Sequence, residues 1–208
     1  MTSGTGTTRG QRVPYVDAAG LQTWHEVRGE GAPVVLLHDR SAFAGASSWH
    51  AQVPALVNAG YRVYLPERRG HAHTPDVDGP LTYSVMADDT IAYLDQVVSG
   101  PAHLIGWSDG AVVGLLVAQR RPDLATRLVL IGQYYNSAGR ASGGMLDQLL
   151  NPDADALRFL RASYDPVSPD GPGHFAVVYE KTIHMLRTEP EIDLATLAGV
   201  LVPSRAPG

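Results

Sequence analysis

The chain contains no cysteine in its 208 residues. This absence excludes disulfide bonds, a thiolate nucleophile and a cysteine-ligated zinc site, so the fold has to be stabilised by its core. A sequence without cysteine suits a reducing compartment, and a cytoplasmic location is our expectation. The 44% hydrophobic and 18% charged composition is typical of one globular domain of this length.

Other features are missing as well. No dense block of Lys and Arg occurs and the formal net charge is −5, which argues against nucleic acid as a partner. No run approaches the roughly 18 apolar residues of a membrane span, so no membrane partner is expected. Residues 1–12 lack the apolar stretch of a signal peptide and are predicted to form a flexible tail. Neither a G-x-x-x-x-G-K-[ST] nor a G-x-G-x-x-G motif occurs, and no metal or cofactor is expected.

The most informative motif is the pentapeptide Gly106-Trp107-Ser108-Asp109-Gly110, which has the pattern G-x-S-x-G. It lies between an apolar run that resembles a strand and an apolar run of helix length. A strand, a sharp turn and a helix in this order would hold a serine hydroxyl clear of its neighbours, because the two glycines let the turn close. The motif therefore predicts Ser108 as a nucleophile.

Hydrophobic periodicity predicts an α/β fold. Two alternating segments indicate an antiparallel hairpin at a sheet edge, and four later segments are continuous apolar strands separated by helices. Strands buried on both sides indicate a mostly parallel sheet with helices on both faces. The predicted strands are 13–17, 21–27, 34–38, 61–65, 102–105 and 127–132, and the predicted helices are 51–59, a segment from 82 to about 99, and 111–118.

We assign these strands and helices to a core domain of residues 13–132. The composition of the sequence changes after residue 132. Residues 133–193 are polar and broken by Pro, Asp and Gly, with helical stretches at 145–150 and 177–187. We predict a helical insertion that covers the site as a lid and shapes the substrate pocket. The alternative is a surface decoration with no part in function.

Taken together, these residues resemble the α/β-hydrolase superfamily. The resemblance rests on His38 after the first parallel strand, Arg69-Gly70-His71 after the second, the elbow at Ser108 and the insertion, and it covers roughly residues 13–202. The elbow is similar to that of biphenyl-hydrolase-like esterases. The resemblance implies an α/β-hydrolase fold and a serine hydrolase of the esterase type.

The resemblance also implies a Ser-His-acid triad, with the acid and then the histidine on loops after two further strands beyond the lid. Residues 194–208 are interpreted as the start of the next core strand, entered at 197–203, and no acid or histidine follows Asp193. We therefore expect a C-terminally truncated enzyme that lacks its last strands. The alternative is a natural compact ending.

Four histidines are candidates for a substitute base. His71 and His73 follow the second parallel strand, where a structural turn is the alternative, and His174 and His184 lie in the insertion. A substitute acid after the strand that follows the elbow is excluded, because the residues there are Gln133-Tyr134-Tyr135.

The resemblance implies an oxyanion hole formed by the backbone N–H groups of Arg40 and Asp109. The usual His-Gly start of the first loop is here His38-Asp39-Arg40. The Asp39 carboxylate either opposes the oxyanion or forms an exposed pair with Arg40, and we favour the pair. Asp109 is a candidate to bind substrates that carry an ammonium group, but we favour the alternative, a first-turn acid stabilised by the helix dipole.

The leading hypothesis is a serine hydrolase that acts on a small carboxylic ester or related acyl bond through an acyl-enzyme on Ser108. The alternative is a non-catalytic remnant that binds a small apolar ligand. A dehalogenase or epoxide hydrolase would require aspartate at position 108. Truncation would leave residues 128–131 as an open sheet edge with an apolar flank, which predicts self-association.

Overall fold

The computed structural model describes residues 14–39, 45–139 and 143–200, so the predicted tail at 1–12 lies outside the described residues. The described strands are β1 (Tyr15–Ala18), β2 (Leu21–Arg28), β3 (Ala32–Leu37), β4 (Tyr61–Pro66), β5 (Ala102–Trp107) and β6 (Ala125–Ile131). The α-helices are α1 (Val53–Asn58), α2 (Tyr83–Tyr93), α3 (Asp109–Arg120), α4 (Met145–Leu150), α5 (Ala154–Tyr164), α6 (Phe175–Thr188) and α7 (Leu194–Ala198).

All six strands belong to one sheet with the order β1-β2-β4-β3-β5-β6. The hairpin β1–β2 is antiparallel and β2 runs antiparallel to β4, whereas β4, β3, β5 and β6 are mutually parallel. The predicted fold class and the hairpin at the sheet edge are both confirmed. The parallel strands bring the loops after β3, β4 and β5 to the same end of the sheet, where chemistry is expected in such folds.

Helices cover both faces of the sheet, and β3 shows why its sequence is continuously apolar. Val35 and Leu37 pack in a cluster that includes residues of α2 and α3. Val34 and Leu36 face the opposite side and pack with Trp49 and with the start of α1. Successive side chains of a strand point to opposite faces, so a strand buried on both faces has no polar position.

The sheet ends at β6 with an open edge. Leu128 and Leu130 pack against the core, but Val129 and Ile131 on the other face are 47% and 42% exposed. Trp107, which pairs with Ile131 in the neighbouring strand, is 37% exposed. In the described part of the chain nothing pairs with the outer side of β6, so the predicted edge with an apolar flank is present.

The segment 133–193 carries α4, α5 and α6, and the two helical stretches predicted there are confirmed. Helix α5 was not predicted. It begins after Asp153, whose carboxylate accepts hydrogen bonds from two backbone N–H groups of the first turn. Leu160 and Tyr164 of α5 pack with Phe175 and Val178 of α6 in a small separate core.

The predicted start of a further strand in 194–208 is wrong for the residues that the structure describes. Residues 194–198 form helix α7 instead. The Asp193 carboxylate accepts a hydrogen bond of 2.7 Å from the N–H of Thr196, and this N-cap favours a helix over an extended chain. Residues 201–208 lie outside the described residues.

One buried carboxylate joins the core to this segment. Asp76, in the loop after β4, accepts hydrogen bonds of 2.7 Å from Lys181 Nζ and 2.8 Å from His174 Nε2. Its own N–H donates to Asp170 at 2.7 Å. Burial by itself would raise the pKa of Asp76, but the hydrogen bonds from Lys181 and His174 outweigh burial and lower it.

Replacing Asp76 with Asn should therefore reduce the free energy of unfolding in a pH-dependent way. The carboxylate has a lower pKa in the folded chain, so its stabilising contribution is complete above the ordinary pKa and is lost as the pH falls through the folded value. The difference from the parent chain should be largest at about pH 6 and should shrink below about pH 4. Urea unfolding across this pH range measures it. Asp78→Asn, an exposed change in the same loop, should cost little at any pH; an equal loss for both variants would contradict the prediction.

The exposed edge at β6 predicts that the chain self-associates through this strand. Light scattering after gel filtration should give a mass above that of one chain, because an open edge with an apolar face favours pairing between molecules. The double variant Val129→Lys/Ile131→Glu should shift the chain toward the monomer. Val177→Lys, at a similarly exposed residue of α6, should not. A parent chain that is monomeric at all concentrations would refute the prediction.

Candidate active site

Ser108 lies in a strained turn between β5 and α3. Its backbone has φ 53° and ψ −118°, a conformation that non-glycine residues rarely adopt and that costs about 1–3 kcal/mol. The turn is held on both sides. The Ser108 N–H donates to the carbonyl of Ile131 at 2.8 Å, and the Ser108 carbonyl accepts from the N–H of Ala111 at 2.9 Å. The predicted order of strand, sharp turn and helix is observed.

The two glycines of the pentapeptide have no room for a side chain. A Cβ atom on Gly106 would collide with the backbone of Gly110 and lie 2.6 Å from the Cα of Ala111. A Cβ atom on Gly110 would collide with the carbonyl of Leu37 and lie 2.7 Å from the carbonyl oxygen of His38. The elbow therefore rests directly on the backbone at the end of β3, and this close approach requires glycine.

Asp109, which follows Ser108, has a buried carboxylate. The residue is 3% exposed, and its Oδ1 accepts a hydrogen bond of 2.7 Å from the hydroxyl of Tyr83 on α2. A carboxylate held in this way favours the interpretation of Asp109 as a first-turn acid of α3 over that of a ligand for a substrate ammonium group. Its backbone N–H belongs to the first turn of α3, at the positive end of the helix dipole.

The loop after β3 differs from our expectation for Asp39. Asp39 is only 2% exposed, and its Oδ1 accepts a hydrogen bond of 2.9 Å from the Ser48 hydroxyl. The exposed pair with Arg40 that we favoured is therefore wrong for Asp39, because its carboxylate is turned into the protein. Arg40, the predicted second oxyanion donor, lies outside the described residues.

His38 is fully buried and both of its ring nitrogens are engaged. Its Nε2 accepts from the backbone N–H of Arg68 at 3.0 Å, which leaves the proton on Nδ1 to donate to the Asp39 carbonyl at 2.6 Å. Burial lowers the pKa of His38 well below its ordinary value, and the nearby charges of Arg68 and His71 lower it further. A neutral, doubly hydrogen-bonded imidazole fixes the loop and is not placed to act as a base.

Three of the four candidates for a substitute base have other partners, and the fourth is exposed. The Nδ1 atom of His71 lies 2.9 Å from the carbonyl oxygen of Arg69, and the Nδ1 atom of His73 lies 3.1 Å from the Glu67 carboxylate. His174 is hydrogen-bonded to Asp76, and His184 is exposed on α6. Within residues 14–39, 45–139 and 143–200, no hydrogen bond joins an imidazole to the hydroxyl of Ser108.

Glu67 was not singled out from the sequence. It is buried after β4 and accepts hydrogen bonds from the N–H groups of His73 (2.8 Å) and Ala46 (3.1 Å). Burial raises the pKa of Glu67. The residue borders a cavity of about 260 Å³ that reaches the end of α5. The described lining is Trp24, Glu26, Gly45, Ser47, His50, Glu67, Ala72, His73, Ser163 and Val167.

Within the described residues, no group of three or more His, Cys, Asp and Glu side chains is arranged to hold a metal ion. Over the same part of the chain, every helix is too short or too polar to cross a membrane.

Comparison with known proteins decides the family. The model of the alpha/beta hydrolase family matches residues 34–204, which include the elbow and most of the sheet. The chain belongs to the alpha/beta hydrolase family. This assignment agrees with the elbow geometry at Ser108 and confirms the resemblance recognised in the sequence.

Individual relatives in the family cover different parts of the chain. It is 31% identical over 111 residues to a putative carbamate hydrolase of Variovorax paradoxus, covering 53% of this chain and 42% of the relative. It is 32% identical over 127 residues to an AB hydrolase superfamily protein of Bacillus subtilis, covering 59% and 43%. The enol-lactonase of Burkholderia xenovorans has the same fold, with a TM-score of 0.67 at 23% identity over 91% of this chain and 78% of the enzyme. The chain thus spans less than half the length of these two curated relatives.

The packing of the elbow predicts that Gly110→Ala destabilises the fold. Alanine is favoured over glycine in a helix by about 1 kcal/mol, but here its Cβ would strike the Leu37 carbonyl, and forced overpacking costs about 1–3 kcal/mol or more. The net effect should be a loss of stability in urea unfolding. Gly114→Ala, in the same helix, would meet only side-chain ends at 3.4 Å and should be neutral or stabilising. Equal stability of the two variants would show that the elbow is not packed as described.

Proposed function

We propose that the chain provides the nucleophile of a serine hydrolase that acts on a small carboxylic ester or related acyl bond. The observation that carries the proposal is the backbone of Ser108, held at φ 53° in a strand–turn–helix elbow of an alpha/beta hydrolase. The relative described as a putative carbamate hydrolase would also act on an acyl carbon, which supports the same reaction class.

In the proposed reaction the Ser108 oxygen attacks the acyl carbon and loses its proton to a base. The carbonyl electrons move to the oxygen, which the N–H of Asp109 stabilises at the positive end of α3. Collapse of this intermediate breaks the bond to the alcohol, which leaves with a proton, and water then releases the acid from the acyl-enzyme. The segment 133–193 is proposed to cover this site and shape the substrate pocket.

A second candidate is a non-catalytic chain that at most binds a small apolar ligand. It is favoured by the positions of His38 and of the four candidate bases, which hydrogen-bond elsewhere or lie on the surface rather than at Ser108. In enzymes of this type, loss of the base lowers turnover by about a millionfold. The two candidates differ in whether the Ser108 hydroxyl is activated.

A fluorophosphonate probe tests the first candidate. The Ser108 oxygen would form a bond to phosphorus as fluoride leaves, and the intact mass should rise by one phosphonyl group per chain at neutral pH. Labelling is expected only if the hydroxyl is activated, because an ordinary serine reacts about a millionfold more slowly than one paired with a base.

Ser108→Ala should abolish labelling, whereas Ser99→Ala should leave the rate unchanged because Ser99 lies at the far end of the sheet, before β5. Labelling that persists in Ser108→Ala would contradict the assignment of the nucleophile. No labelling of the parent chain would favour the non-catalytic candidate.

A further inference from the structure

A buried polar cluster lies where β3 and β4 end, beside the elbow. Arg68, His38 and Asp39 are each at most 5% exposed. A guanidinium is rarely buried without a structural task, because removing its charge from water costs several kcal/mol unless hydrogen bonds compensate. The hydrogen bonds of Arg68 therefore indicate the structural role of its guanidinium group.

Arg68 holds the loop after β3 at two points. Its Nη2 donates to the Asp39 carbonyl at 2.8 Å, and its backbone N–H donates to His38 Nε2 at 3.0 Å. The Asp39 carbonyl also accepts from His38 Nδ1, so one carbonyl oxygen receives two donors. The guanidinium lies 3.3 Å from that same Nδ1, where its charge opposes protonation of the ring.

The loop held in this way is the surface on which the elbow rests. Gly110 is packed so closely on the carbonyls of Leu37 and His38 that it has no room for a methyl group. Gly110 follows Ser108 by two residues in the first turn of α3. A shift of the backbone at His38 and Asp39 would therefore be transmitted to Ser108 through backbone contacts.

We propose that Arg68 is a positioning residue of the hydrolytic site, which fixes the His38–Asp39 turn and through it the elbow that carries Ser108. The proposal rests on the proposed function for its catalytic consequence, because a nucleophile displaced by about 1 Å loses much of its reactivity. Its structural content, a turn held by the Nη2 atom of the Arg68 guanidinium, does not depend on catalysis.

Three variants separate the charge of Arg68 from its hydrogen-bonding geometry. Arg68→Gln removes the charge and the guanidinium group, and Arg68→Lys keeps a charge but loses the planar guanidinium. Arg69→Gln is the matched control: Arg69 is the next residue of the same loop and forms a forked ion pair with Asp89 at 2.6 Å, with no hydrogen bond to Asp39. All three are studied in the full chain.

The first measurement is deuterium exchange in a peptide that spans residues 108–114. Arg68→Gln should accelerate exchange by about tenfold, the effect of losing one charge-assisted hydrogen bond, and Arg68→Lys should give an intermediate effect. Arg69→Gln should leave this peptide unchanged. Equal exchange in Arg68→Gln and Arg69→Gln would overturn the proposal.

The second measurement is the ¹⁵N NMR titration of His38, identified by the signal lost in His38→Gln. His38 should be neutral with its proton on Nδ1, and Arg68→Gln should raise its titration midpoint because a positive charge is removed, whereas Arg68→Lys should keep it low. His71 is the other titratable group that faces the ring, and His71→Gln controls for its charge. A proton on Nε2 in the parent chain would also overturn the proposal.

The labelling rate of Ser108 then links position to reactivity. It should fall by about tenfold in Arg68→Gln and remain unchanged in Arg69→Gln. An unchanged rate in Arg68→Gln, with normal labelling of the parent, would overturn the catalytic part of the proposal. If the parent chain is not labelled at all, the proposed function fails, and deuterium exchange and the His38 titration alone decide whether Arg68 holds the turn.

Discussion

The close contact between two backbones, at the elbow and at the end of β3, is the constraint on which the rest of the site depends. Gly110 lies against the carbonyls of Leu37 and His38, so α3 can begin only where it does. This contact and the hydrogen bond from the Ser108 N–H to Ile131 hold Ser108 in its left-handed conformation. Strain of about 1–3 kcal/mol persists there because packing around it allows no relaxation.

Buried polar groups complete the support of the elbow from two directions. On one side, Tyr83 donates to the Asp109 carboxylate, which links α2 to the first turn of α3. On the other side, His38, Asp39 and Arg68 form a cluster at the end of β3. Such groups stabilise a unique arrangement only when their hydrogen bonds are made, so both clusters favour one position of Ser108.

Much of the fold could be predicted from the sequence, because strands buried on both faces and the glycine pattern around Ser108 have strong local signatures. The element α7 was mistaken for a strand because an apolar run is ambiguous, and the N-cap at Asp193 was the overlooked signal. The buried state of Asp39 could not be predicted, since it depends on Ser48, nine residues away in the sequence, and on Arg68 from another strand end. Partners brought together by tertiary structure have no local pattern.

The structure separates the placement of the Ser108 hydroxyl from its activation. Placement at Ser108 depends on elements that lie before residue 132, namely β3, β5, α3 and the end of β6, and these are all in place. Activation requires a base at the hydroxyl, and the four candidate histidines hydrogen-bond elsewhere or lie on the surface. Because the strained elbow is maintained by packing alone, it would persist whether or not a base is supplied. The geometry of the elbow therefore agrees with the family and supports the proposal of Ser108 as the reacting residue, and the reactivity of Ser108 distinguishes an active hydrolase from a scaffold.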